Sequence, residues 1–139
     1  MDLNYYKSQL INHYKNPKGQ GSFSECHRIA RGVNPLCGDE IKVGVMIEDS
    51  RIIDIKFSAR ACSICIASSS IMVETLQNQN VSVVPSYLQA VNQLLKGEQV
   101  EGITGAVSEP LGAISTVSPN LSRHKCVCIG WEALSEALK

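Results

Sequence analysis

Two runs near the middle of the chain alternate between apolar and polar residues. Over residues 40–47, Ile41, Val43, Val45 and Ile47 point one way; over residues 51–58, Ile53, Ile55 and Phe57 do the same. A period of two predicts half-buried strands, and the polar turn Glu48-Asp49-Ser50 between them predicts a hairpin. A weaker run over residues 27–33 supplies a third strand. The three make an antiparallel meander with one buried face. Cys37 and Asp39 then fall in the loop between the first and second strands.

Elsewhere the apolar residues recur at helical spacing. Tyr6, Leu10, His13 and Tyr14 predict a helix over residues 3–16, stopped by Asn16-Pro17-Lys18-Gly19. From Ala61, Ile64, Ala67, Ser68, Ile71, Met72 and Thr75 predict a second helix, with enough small residues to lie close against the sheet. A third is expected over residues 83–96, with Ser82 as cap, Pro85 in the first turn and Gly97 at the end. Its apolar face is Val84, Leu88, Val91 and Leu95. The glycine-rich stretch over residues 97–118 is the least regular; Ser108-Glu109-Pro110 marks a short helix reaching Ile114. A last helix carries Val127, Trp131, Leu134 and Leu138 on one stripe, and Cys126, Gly130, Ala133 and Ala137 on another. Trp131 and Tyr14 are expected in the core.

Strands grouped together, followed only by helices, define the α+β class rather than a parallel α/β sheet. The expected fold is an N-terminal helix, a three-stranded antiparallel sheet and C-terminal helices packed on one face. A length of 139 residues fits one domain over residues 1–139, and 44% apolar residues suffice for a core. Net charge is zero and no long basic run occurs, which argues against nucleic-acid or anionic-membrane binding. The apolar stretches are too short to span a membrane, and the first residues lack the charged start and apolar core of a signal peptide. The expected location is the cytoplasm.

That setting changes how the six cysteines are read. Cytosolic thiols stay reduced, so Cys26, Cys37, Cys62, Cys65, Cys126 and Cys128 point to metal binding or sulfur chemistry before disulfides. At least two of them are expected as ordinary apolar core residues. In Asn34-Pro35-Leu36-Cys37-Gly38-Asp39, a thiol and a carboxylate flank a permissive glycine, a pairing suited to zinc or iron. Cys62 opens the second helix, where the dipole favours thiolate. In a three-strand meander the first connection and the end of the third strand lie at one end of the sheet, so topology brings Cys37, Asp39 and Cys62 together. Cys126 is the candidate fourth ligand, and its neighbours Arg123, His124 and Lys125 are expected to favour its thiolate.

Two rival arrangements use the same thiols. A closed structural zinc site takes Cys62, Cys65, Cys126 and Cys128, although Cys65 lies inside a predicted helix rather than a turn. A redox pair of Cys62 and Cys65 lacks the βαβ setting of thioredoxin-like proteins. His13 and His27 read as surface or partly buried side chains. His124, two residues from Cys126, is an alternative ligand. Arg123 and Lys125 suit either a solvated helix face or docking of an acidic partner.

Several of these segments together resemble the U-type iron–sulfur cluster assembly proteins, the group containing IscU, SufU and the N-terminal domain of NifU. The matching elements are His13-Tyr14-Lys15-Asn16-Pro17, the hexapeptide ending at Asp39, Ala61-Cys62-Ser63-Ile64 with Ala67-Ser68-Ser69-Ser70, and Lys125-Cys126 with Trp131-Glu132-Ala133-Leu134. The resemblance implies an α+β fold and a metal site of Cys37, Asp39, Cys62 and Cys126. It implies sulfur received on Cys37 from a cysteine desulfurase of the SufS or IscS type. SufU-like members bind zinc and act as sulfur acceptors; IscU-like members assemble a [2Fe–2S] cluster, or bind iron, and pass the cluster to apo iron–sulfur acceptor proteins. The protein would then be at most a zinc-dependent sulfurtransferase working with its desulfurase, and otherwise a non-enzymatic scaffold.

The long segment between Lys96 and Arg123, Lys125 in place of a ligand-capable histidine, and Arg123 as a docking residue lean toward SufU. Ala61 in place of the usual glycine, His124, and the extra thiols Cys65 and Cys128 depart from the pattern. An extra thiol can replace Asp39, relay sulfur or hold a cluster more tightly; core packing is its default role.

Overall fold

A computed structural model describes residues 3–36, 38–98 and 111–139. The elements run α1 (Leu3–Lys15), β1 (Arg28–Asn34), β2 (Asp39–Glu48), β3 (Arg51–Arg60), α2 (Ser63–Leu76), α3 (Val84–Leu95) and α4 (His124–Ala137). The sheet is antiparallel in the order β1-β2-β3. The α+β architecture is the one the hydrophobic pattern predicts.

Alternation along β2 buries Ile41, Val43 and Val45 on one face. Asp49 and Ser50 turn the chain into β3 with φ of 51° and 65°, the left-handed pair that a two-residue hairpin of matching twist requires. One expectation fails next to this turn. Ile47 pairs with Ile52 but Met46 pairs with Asp54, so Ile53 is an extra residue in the ladder. Such a bulge resets the alternation. Ile52, Ile55 and Phe57 therefore point into the core, and Ile53 does not join their fully buried row.

Helix α2 is buried on most sides, from Cys65 through Ala67, Ser68, Ser69, Ser70, Ile71, Met72 and Val73 to Thr75 and Leu76. It packs against α1, α4 and β3. Helix α4 lies beneath β1 and β2, and both of its sequence stripes are buried. Gly130 makes the crossing with α2 possible: a β-carbon there would lie 2.5 Å from Ser69 Oγ and 3.2 Å from Ile41 Cδ1. Trp131 fills the space beside it, its indole N–H donating to Ser68 Oγ at 2.9 Å, while Ser68 donates to the Val127 carbonyl at 2.7 Å.

Three further differences concern helix ends. Asn80, not Ser82, accepts the capping bond ahead of α3, because a 3-10 turn over Val81–Val83 moves the start back. Tyr14 is 47% exposed, so α1 turns it outward and buries His13 instead. Of the short helix expected from Ser108 to Ile114, residues 108–110 lie outside the described residues; Leu111 and Gly112 are helical and a 3-10 stretch, Ala113–Val117, follows.

His13 ties α1 to α2. Its Nδ1 lies 2.7 Å from Ser70 Oγ and its Nε2 2.9 Å from Glu74 Oε2, and Ser70 Oγ also accepts the Lys18 amide. Burial lowers its pKa below the ordinary 6.5, against the opposing pull of Glu74. The unfolded chain therefore takes up a proton at pH values where folded His13 resists one, so acid favours unfolding. Stability is expected to fall as pH drops below about 6.5, and His13→Gln should flatten that part of the curve, as read by urea denaturation across pH. An unchanged slope in the variant would remove His13 as its source.

Candidate metal centre

The sheet end predicted from topology is where the ligand-capable groups meet. Asn34 pairs with Asp39 at the close of the β1–β2 hairpin, and Glu40 pairs with Arg60 at the end of β3. Asp39 thus opens β2 rather than lying in the loop, within reach of residues just after β3. Gly38 holds φ at +72°, and its amide donates to the Asn34 carbonyl at 2.9 Å. A left-handed residue at this point is what lets so short a connection close.

Asp39, 4% exposed, accepts two bonds from opposite sides. Its Oδ1 takes the Cys62 backbone N–H at 3.1 Å, and its Oδ2 takes the Cys126 thiol at 3.3 Å. Cys62 is the N-cap residue of α2, and its side chain makes no capping bond. Cys126 is the third residue of α4 and fully buried. One ligand atom from each of Asp39, Cys62 and Cys126 lies within 4.8 Å of the others. Two helix N-termini point their positive ends at this volume, which suits anionic sulfur.

The donor set fits a soft divalent metal. Zinc bonds of about 2.0–2.3 Å place tetrahedral ligands roughly 3.3–3.8 Å apart, close to the 3.3 Å between Cys126 Sγ and Asp39 Oδ2. Small side-chain adjustments therefore suffice. Asn34 stands behind Cys126, a contact that no pattern in the sequence predicts. It is 2% exposed, and its Nδ2 lies 3.9 Å from Cys126 Sγ. Its Oδ1 is buried without a partner among the described residues. The only sequence signal was its place before Pro35 at the head of the hairpin motif. Asn34→Ala is expected to weaken metal binding by about 10–100-fold, measured by competition with a chromogenic chelator, with the fold intact by circular dichroism.

The expectation that nearby cations make Cys126 a thiolate is corrected. Burial, then hydrogen bonding to Asp39 and Cys62, pushes its pKa up to about 12, and Arg123 opposes this without prevailing. Lys125 is exposed to water, where its charge is screened. Deprotonation thus falls to a bound metal, so metal uptake is expected to release protons.

Cys65 and Cys128 do not join the three-residue group. Cys65 is fully buried one turn into α2; burial and the neighbouring Cys62 and Asp39 push it up to about 12, against the Ser69 hydroxyl. Cys128 faces α3, its thiol 3.8 Å from Asn92 Oδ1. The four-thiol arrangement is therefore not assembled. His124 Nε2 lies 2.8 Å from the Ser118 carbonyl, a bond that uses one ring nitrogen as donor. Cys26 packs away from this end, over Gly44. Cys37 lies outside the described residues.

A hairpin carboxylate and two helix-start thiols at one end of a three-stranded meander define a thiolate–carboxylate scaffold of the kind that handles metal and sulfur. The chain belongs to the NifU-like N-terminal domain family, whose sequence model matches residues 5–139. This is a family of iron–sulfur cluster assembly. Among curated relatives, the zinc-dependent sulfurtransferase SufU of Bacillus subtilis is 27% identical over 96% of this chain and 88% of its own. The iron–sulfur cluster assembly scaffold protein IscU of Thermotoga maritima is 30% identical over 96% of this chain and 92% of its own. A solved scaffold protein for the SUF system from Fervidobacterium islandicum AW-1 shares the fold, with a TM-score of 0.84, 24% identity and full coverage of both chains. No described helix is long and apolar enough to cross a membrane.

Proposed function

We propose that this protein is a cytoplasmic, SufU-like, zinc-bound sulfur acceptor that takes persulfide sulfur from a cysteine desulfurase. The observation that carries the reading is the convergence of Asp39, Cys62 and Cys126 within 4.8 Å. Cys37, two residues from Asp39 in sequence, is proposed as both the fourth ligand and the acceptor. Zinc at these residues would keep thiols deprotonated and add no redox chemistry of its own. The Cys37 thiolate attacks the outer sulfur of the desulfurase persulfide. A new S–S bond forms on Cys37, and the desulfurase cysteine leaves as thiolate.

The surface near the site supports docking. Leu36 is 93% and Leu121 78% exposed, next in the chain to Cys37 and close in sequence to Arg123 and Lys125. Exposed apolar side chains beside cations suit a partner surface that mixes apolar and acidic groups. With Lys125 out in water and His124 bonded to Ser118, the residues before Cys126 offer the metal no better ligand. This favours the zinc acceptor over a cluster scaffold.

An IscU-like scaffold for a [2Fe–2S] cluster is the second reading, favoured by the similarity to the Thermotoga maritima protein. A carboxylate binds a soft metal more labilely than a thiolate, so Asp39→Ala would lengthen cluster lifetime in that case. Metal analysis of freshly purified protein, followed by labelled-cysteine turnover with a desulfurase, separates the readings. Stoichiometric zinc and faster turnover support the first. A coloured cluster that forms with iron and sulfide and passes to an apo-acceptor supports the second. Both fail if Cys37→Ala leaves metal content and sulfur acceptance unchanged.

A further inference from the structure

The proposed site leaves one buried nucleophile unused. Cys65 lies directly behind Cys62, at the third position of α2, while Cys62 is the N-cap. These two positions face each other across the first turn, as in a capping box, where each side chain reaches the other's backbone N–H. Cys62 makes no capping bond, its φ of −66° and ψ of 164° are not helical, and it is partly exposed where Cys65 is fully buried. Cys62 is therefore reachable from solvent on one side and from Cys65 on the other. Residues three apart in a helix have β-carbons about 5–6 Å apart, and a disulfide needs about 3.5–4.5 Å. The first turn must tighten by roughly 1–2 Å, which an N-cap residue outside the helical ladder can accommodate. Cys65 is also outside the three-residue ligand group, so holding metal does not explain its place.

We propose that Cys62 and Cys65 form an internal reductant that releases persulfide sulfur as sulfide. This rests on the sulfur-acceptor reading above, and the step takes place with Cys62 released from the metal, since it is one of the three residues drawn together to hold it. Sulfane sulfur reaches Cys62 by exchange from a protein persulfide or from inorganic polysulfide. The Cys65 sulfur then attacks Cys62 Sγ. The Cys62–Cys65 bond forms, the bond from Cys62 Sγ to the outer sulfur breaks, and that sulfur leaves with the electron pair. The proton from Cys65 accompanies it, so Cys62–S–SH and Cys65–SH become a disulfide and hydrogen sulfide. Two thiols are oxidised and one sulfane sulfur is reduced, with no outside electron donor in the first turnover. Hydrosulfide is a better leaving group than an alkyl thiolate, which sets the direction of cleavage. A dithiol reductant returns the pair for another cycle.

The test loads the full-length chain, as purified, with sodium polysulfide, removes the excess and reads three quantities. Persulfide is measured by cyanolysis, free sulfide by methylene blue without added reductant, and the tryptic peptide of residues 61–96 by mass. That peptide contains Cys62 and Cys65 and no other cysteine. The expected result is persulfide lost as sulfide appears, with this peptide lighter by two hydrogens. Cys65→Ser should load persulfide equally but hold it until dithiothreitol is added, and Cys128→Ser should behave as the unaltered chain. Equal sulfide release from Cys65→Ser, or an unlinked peptide after release from the unaltered chain, overturns the inference. The peptide mass needs no variant to fold. If no persulfide loads on any form, the sulfur-acceptor reading fails and this inference with it; if it loads but no link forms, only the inference fails.

Discussion

Cys126→Ala is expected to abolish the stoichiometric zinc binding proposed above, with an affinity deficit larger than the about 10–100-fold typical of altering a residue that only supports the ligands. The thiol is fully buried and already hydrogen-bonded to Asp39. Among the described residues no fourth ligand-capable group joins Asp39, Cys62 and Cys126 to take its place, and α4 holds its backbone against the sheet. The matching control is Cys128→Ala, two residues on in the same helix but turned toward Asn92. It should keep full metal content. Metal analysis of both, with chelator competition on the unaltered chain, decides the matter; full zinc in Cys126→Ala would place the metal elsewhere. The metal-free Cys126→Ala chain should lose only about 1–2 kcal/mol of stability, since a single small side chain is removed from the core.

Trp131→Ala is expected to cost about 3–5 kcal/mol, a large part of the about 5–15 kcal/mol that holds a typical domain together. Trp131 is 1% exposed and sits where α4 passes α2. Its removal leaves a cavity between two helices held in place by the sheet, so the gap cannot collapse. It also removes the donor to Ser68 Oγ. Trp131→Phe separates the two contributions: it keeps most of the volume and loses the N–H, and should cost less. Urea unfolding followed by circular dichroism reads both. A loss below about 1 kcal/mol in Trp131→Ala would mean that the helix layer repacks freely, contrary to its density of small residues. Metal binding should fall with stability, because Cys126 lies five residues earlier on the same helix.

The elements with clear periodicity were legible. Ile41, Val43 and Val45 marked β2, and Val84, Val91 and Leu95 marked the buried side of α3. The end of the sheet at which Asp39 and Cys62 meet followed from topology alone. Failures came where a single local event redirected a side chain. Unbroken alternation points Ile53 inward, and a bulge that no local residue announces breaks that alternation. Helical spacing does not distinguish Tyr14 from its neighbour His13 at the margin of the stripe, and it is His13 that finds partners in Ser70 and Glu74.

The sequence by itself determined the order of elements, the sheet topology and the residue types of the site. These depend on periods of two and 3.6 and on chain connectivity, which are local properties. Only the tertiary structure decided how the ligand groups meet and in what state. Cys126 stands out in the sequence by its place near the start of the last helix, but spacing alone does not bring its thiol to Asp39. The rotation of α4 beneath β1 and β2, allowed by Gly130 at its crossing with α2, turns Cys126 to Asp39 and Cys128 to Asn92. The same burial reversed the expected charge of Cys126, because desolvation depends on everything packed around a thiol and not on its neighbours in the chain.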